Sequence, residues 1–103
     1  MNSKTIYISG KMTDNPTYQD DFANAVLKLK EEGYTHIINP CCLSVLNLHY
    51  EQYMAIDYAM IDVSDEVYFL SNWEESHGAQ REYMYAVIKN KKLRFEKKEG
   101  KMC

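Results

Sequence analysis

Four pieces of this chain carry groups able to do chemistry: Tyr7 in the run Tyr7-Ile8-Ser9-Gly10, Asp57 eight residues before Asp65, the turn Ser76-His77-Gly78, and Glu82 just beyond it. A carboxylate can attack an electrophilic carbon, and a second acid can hand a proton to a leaving group. A phenol can orient either one. Gathered at one sheet edge, a tyrosine, an aspartate, a small-residue turn and a glutamate are the parts that breaking a bond at a sugar's anomeric carbon requires.

Each piece has a plainer reading beside the chemical one. On a helix at about 100° per residue, Tyr50, Tyr53, Met54, Met60 and Ile61 fall on the side of Asp57, with Glu51, Gln52 and Asp62 opposite. An acid in an apolar face must be hydrogen-bonded, protonated or facing a cavity. The alternative is a structural Asp that caps a nearby turn. Glu82 projects beside Gly78, Ala79, Tyr85 and Ala86, small neighbours that leave room for a carboxylate. Acids are also common near helix starts for electrostatic reasons alone. Ser76 and the free N–H groups of its turn can hold a phosphate, or Ser76 is simply an N-cap. Arg81 reinforces an anion site or lies in solvent. Trp73, the single tryptophan, stacks on a base or covers the core. Tyr7 bonds a carboxylate or merely packs. His36, His49 and His77 lack an evident acid or metal partner, so no metal site and no cofactor are expected.

The elements that must position these groups follow from periodicity and punctuation. Ile6-Tyr7-Ile8 reads as a strand ended by Ser9-Gly10 and is expected at the sheet edge. After the loop Asn15-Pro16-Thr17, Thr17 with Asp20 resembles a capping box. Tyr18, Phe22, Ala25, Val26 and Leu29 recur at helical spacing up to Gly33. Thr35 to Ile38 is a second strand, residues 41–49 a loop with some local turn, and Tyr50 to Asp62 a second helix. Glu66 to Leu70, nearly all apolar, reads as a central strand buried on both faces. Gly78 to Asn90 is a third helix, Leu93 to Phe95 a fourth strand, and the end after about residue 96 is expected to be loose. Strands alternating with helices predict an α/β fold: a three-layer, doubly wound parallel sheet of four to five strands with helices on both faces. The segments after the first three strands should line the site, where the strand order reverses.

Bulk properties narrow the class. The 103 residues suit one domain, 1–103. The net charge of −3 hides an acidic body and a basic end from Lys89 onward. An acidic body matches a nucleic-acid polymer poorly. No stretch is long and apolar enough to span a membrane, and the N-terminus lacks a signal-peptide layout. Three cysteines, Cys41, Cys42 and Cys103, show no zinc or disulfide spacing. A cytoplasmic location is therefore expected.

Taken together, Tyr7-Ile8-Ser9-Gly10, Asn39-Pro40, Asp57 with Asp65, and Trp73…Ser76-x-Gly78-Ala79-x-x-Glu82 resemble the nucleoside 2-deoxyribosyltransferase superfamily from Tyr7 to about Val87, nearest a branch of small bacterial and phage proteins. The resemblance implies a flavodoxin- or Rossmann-like fold. It also implies cleavage of the N-glycosidic bond of a 2'-deoxynucleoside or its 5'-monophosphate, as a deoxyribosyltransferase or as an N-hydrolase. Glu82 matches the nucleophile, Asp57 the acid that assists departure of the base, and Tyr7 the residue that orients the glutamate. Ser76 and Gly78 match a phosphate-holding turn. Ser9, Gly10, Lys11, Trp73 and Arg81 complete the expected substrate-binding set. Relatives of this kind pair, so a homodimer is expected. A second hypothesis keeps the fold without turnover: a nucleotide-binding or sensing module.

Overall fold

The computed structural model describes residues 2–97. The chain runs β1 (Asn2–Ser9), α1 (Tyr18–Glu31), β2 (Tyr34–Ile38), α2 (Tyr50–Asp62), β3 (Glu66–Phe69), α3 (His77–Ile88) and β4 (Lys92–Phe95). Short 3-10 turns at Pro40–Leu43 and Trp73–Glu75 precede α2 and α3. The four strands form one all-parallel sheet in the order β2-β1-β3-β4. It is the expected doubly wound α/β arrangement, with four strands.

The two-residue period of the strands sorts the core into two layers. Ile6 and Ile8 of β1, with Tyr68 and Leu70, pack under Phe22, Ala25 and Leu29 of α1. Tyr7, Val67 and Phe69 face the other way, against Ile61 of α2 and Ala86 of α3. The first crossover therefore passes over one face and the next two over the other, which sends β3 to the far side of β1. For that reason β1 is an interior strand and not the expected edge. The position of Tyr7 is fixed by ladders on both sides, opposite Ile38 of β2 and Val67 of β3. Among the described strands, β2 and β4 are the edges. β3 is buried throughout, as its continuous apolar run requires.

Local chemistry sets the ends. The anticipated capping box of Thr17 and Asp20 does not form. Asn15 organises the turn instead: its Oδ1 accepts from the N–H of Thr17 at 3.2 Å and from its hydroxyl at 3.1 Å, an Asx-type turn. Gly33, at φ 101°, takes the left-handed conformation that closes α1. Asn39 starts the 3-10 turn by accepting from the N–H of Cys41 at 3.0 Å. Asp65, just before β3, ties the two interior strands together: its Oδ2 accepts from the N–H of Thr5 at 2.9 Å. α3 runs from His77 to Ile88, so it starts just before the expected Gly78 and stops short of the expected Asn90. Of the end expected to be loose, residues 98–103 lie outside the described residues. Glu96 is tied down, its N–H donating to the Phe69 carbonyl at 2.8 Å and its carboxylate accepting from the Ser71 N–H at 2.9 Å. Among the described residues no helix is long and apolar enough to cross a membrane.

Candidate functional site

β1 and β3 lie side by side, and from them the chain winds in opposite directions, so their carboxyl ends leave a crevice. A cavity of about 910 Å³ opens there, within the range that takes a small molecule. β1 supplies Tyr7 and Ser9, with Gly10 just beyond its end; α2 supplies Asp57; and α3 supplies Gly78 and Glu82, with Ser76 as its N-cap. The sequence places them by simple periodicity. Tyr7 and Ser9 share one face of β1. Asp57 stands between Met54 and Ile61, both buried, on the inward face of α2. Glu82 stands between Ala79 and Ala86 on the inward face of α3, where small side chains let the helix lie close to the sheet.

The centre is a buried carboxyl cluster. Glu82 is 5 % exposed, Ser9 1 % and Tyr7 0 %. The Tyr7 hydroxyl donates to Glu82 Oε2 at 3.2 Å, and the Ser9 hydroxyl to Glu82 Oε1 at 2.6 Å. Each carboxyl oxygen thus has one fixed donor, which locks the side chain's orientation. The half-buried Asp57 lies within hydrogen-bonding reach of both Glu82 and Tyr7. Burial drives the Glu82 carboxyl well above the usual carboxylate range. Contact with the Asp57 charge adds to the rise, and the Ser9 and Tyr7 hydroxyls only partly oppose it. Burial also raises Asp57, against the hydrogen bonds from Glu82 and Tyr7. Tyr7 is pushed well above the normal phenol value by burial first and by the two acids next, so it stays a donor. Two carboxyls in contact in a poorly solvated site oppose each other's joint ionisation.

The surrounding residues divide. Gly10 is dictated by close approach: a Cβ there would sit 2.6 Å from Leu70 Cδ1 and 2.9 Å from Leu70 Cβ. Lys11 lines the cavity, with its N–H on Asn72 Oδ1 at 3.2 Å and its ammonium 3.4 Å from Glu75. The Ser76 hydroxyl accepts from the Ala79 N–H at 3.1 Å and caps α3, while also lining the cavity. Arg81 lines it too, held in a two-pronged pair with Glu51 at 2.9 and 3.0 Å and over the Tyr50 ring.

Trp73 corrects the expectation for it. It is absent from the cavity lining. The 3-10 turn folds its indole back over the sheet, where it stacks on Tyr83 at 4.9 Å and packs against Phe69 and Phe95. It covers the core beside β4.

Sequence reasoning also missed part of the site. Ser9, expected among the substrate-binding residues, instead donates its hydroxyl to Glu82. Its place two residues after Tyr7 was the available signal. The apolar wing formed by Tyr18, Phe22, Pro40 and Leu43 was legible only as core and loop, because periodicity does not show which core side chains border a crevice. Neither the curated proteins nor the solved structures compared with this chain give a match. The family model described as "Domain of unknown function (DUF4406)" matches residues 4–95, and the chain belongs to that family.

Proposed function

We propose that this protein cleaves the N-glycosidic bond of 2'-deoxynucleosides or their 5'-monophosphates, with Glu82 as nucleophile. One observation carries the reading: a buried glutamate, held on each oxygen by Tyr7 and Ser9 and driven toward its protonated form by burial and by Asp57, borders a cavity of small-molecule size. The restriction to deoxyribose comes from the resemblance set out above.

The steps follow from that arrangement. A nucleoside entering the cavity separates the two carboxyls, which leaves Glu82 ionised and the proton on Asp57. Glu82 attacks C1' as the bond from C1' to the base nitrogen breaks. The bonding pair leaves with the base, which takes the Asp57 proton, and a glycosyl-enzyme remains. Asp57, now ionised, accepts a proton from the second nucleophile. Water at C1' then gives a hydrolase, and a second base gives a transferase. Tyr7 and Ser9 keep the attacking oxygens aligned, and alignment of this kind supplies a large share of such rate enhancements.

A second reading, a nucleotide-binding or sensing module without turnover, is favoured by one specific feature. Burial and Asp57 together favour protonated Glu82, and a protonated carboxyl does not attack. Chromatography separates the two readings: enzyme incubated with deoxynucleosides releases free base, and Glu82→Gln does not. The silent module instead gives no base while the same compounds raise its melting temperature by mass action. A homodimer and a cytoplasmic location complete the proposal.

A further inference from the structure

The proposed reaction leaves open whether the substrate carries a phosphate, and the charges around the cavity bear on that choice. Four carboxyl groups line it, Asp14, Asp57, Glu75 and Glu82, against two side-chain cations, Lys11 and Arg81. Both cations are already engaged. Arg81 makes two parallel bonds to Glu51, at 2.9 and 3.0 Å. Its guanidinium lies 5.5 Å from the Tyr50 ring centre and 5.8 Å from that of Tyr58. Lys11 sits 3.4 Å from Glu75. The remaining basic side chain of the lining is the imidazole of the exposed His77.

A phosphate needs donors that are not already matched to an anion. At the start of α3 the Ser76 oxygen accepts from its own helix, and Glu75 places a carboxylate one residue ahead of that cap, where the helix dipole favours an anion. A 5'-phosphate entering here would have to displace Glu51 or Glu75, or lie beside them. Both acids are well exposed, so the pairs themselves add little to stability. Their effect on a dianion does not depend on that stability, because the displaced carboxylates stay tethered within a few ångströms. An uncharged ligand meets no such opposition.

We infer that Glu51 and Glu75 set the charge of the substrate: by neutralising Arg81 and Lys11 they fit the cavity to the unphosphorylated nucleoside and turn away its 5'-monophosphate. This rests on the nucleoside reading above. Neither acid takes part in the chemistry, so both are selectivity residues.

The test is a pair of binding titrations, deoxynucleoside against the matching 5'-monophosphate, on a protein carrying Glu82→Gln so that nothing turns over. The nucleoside should bind tighter. Adding Glu51→Gln and Glu75→Gln should move the ratio of the two affinities toward the monophosphate by about tenfold, the scale of removing nearby like charge. Glu51→Gln alone should move it part of the way and serves if the combined variant folds poorly. A monophosphate that binds as well as the nucleoside before those changes, or a ratio that they leave unmoved, overturns the inference while the nucleoside reading stands. Binding of neither compound overturns both.

Discussion

Glu82 is where function and stability oppose one another. The ordinary pKa of a glutamate is about 4.3, and in the folded protein it lies well above that, chiefly through burial and then through Asp57. Between those two values the native state binds the proton that the unfolded state has released. The slope of stability with pH is therefore negative across that window, so burying this carboxyl costs stability as pH rises from the unfolded value toward the folded one. Glu82→Gln removes the titration and retains a group that accepts from Tyr7 or Ser9 and donates to Asp57. We expect it to raise the melting temperature at pH 8 by several degrees, since ~1 kcal/mol is worth about 4–8 °C in a domain of this size. The gain should shrink toward zero near pH 4. Thermal scans of both proteins across that range check it, and equal melting temperatures at every pH would show that the carboxyl is not under this strain.

At the scale of elements, one close approach positions the cluster. The end of β1 lies so close to Leu70 that Gly10 has no space for a side chain. Gly10→Ala should force β1 and the segment after β3 apart, at a cost of about 1–3 kcal/mol by overpacking, with Ser9 carried out of line with Glu82. Urea denaturation measures the first effect, and an unchanged midpoint would mean that Leu70 yields freely. The existence and type of these elements were legible because β-branched and aromatic runs, Gly33 and Asn39-Pro40 punctuate the chain clearly. Their neighbours were not. A strand's pattern reports which residues are buried, not which strand lies alongside, so it does not reveal that β1 lies inside the sheet rather than at its edge. The choice between the two readings of Trp73 is hidden for a related reason. A single aromatic after a strand can turn toward the crevice or away from it, and the partners that turn it away, Tyr83 and Phe95, lie in the later elements α3 and β4.

At the scale of the molecule, the sheet converts four weak local signals into one site. Tyr7 and Glu82 are 75 residues apart in the chain and in hydrogen-bond contact. Asp57 was legible as an anomaly on an apolar helix face, and its meeting with Glu82 only through the resemblance. The outer surface carries its own signal: Met84, Val87 and Ile88 of α3 are 60, 46 and 71 % exposed, spaced to form one apolar stripe on the helix. In the proposed homodimer this stripe is covered. Sedimentation should then report a particle of two chains, and Ile88→Glu should halve its mass; a single-chain particle for the unaltered protein would end that part of the proposal.

The most direct measurement follows the base itself. The protein is incubated with each deoxynucleoside and each 5'-monophosphate, with and without a second free base, beside Glu82→Gln, and the products are separated by chromatography. Free base or an exchanged nucleoside is expected with the native residue and neither with the variant. Release at the same rate from both proteins, or none from any compound by the folded native protein, would contradict the assignment of Glu82 as a nucleophile.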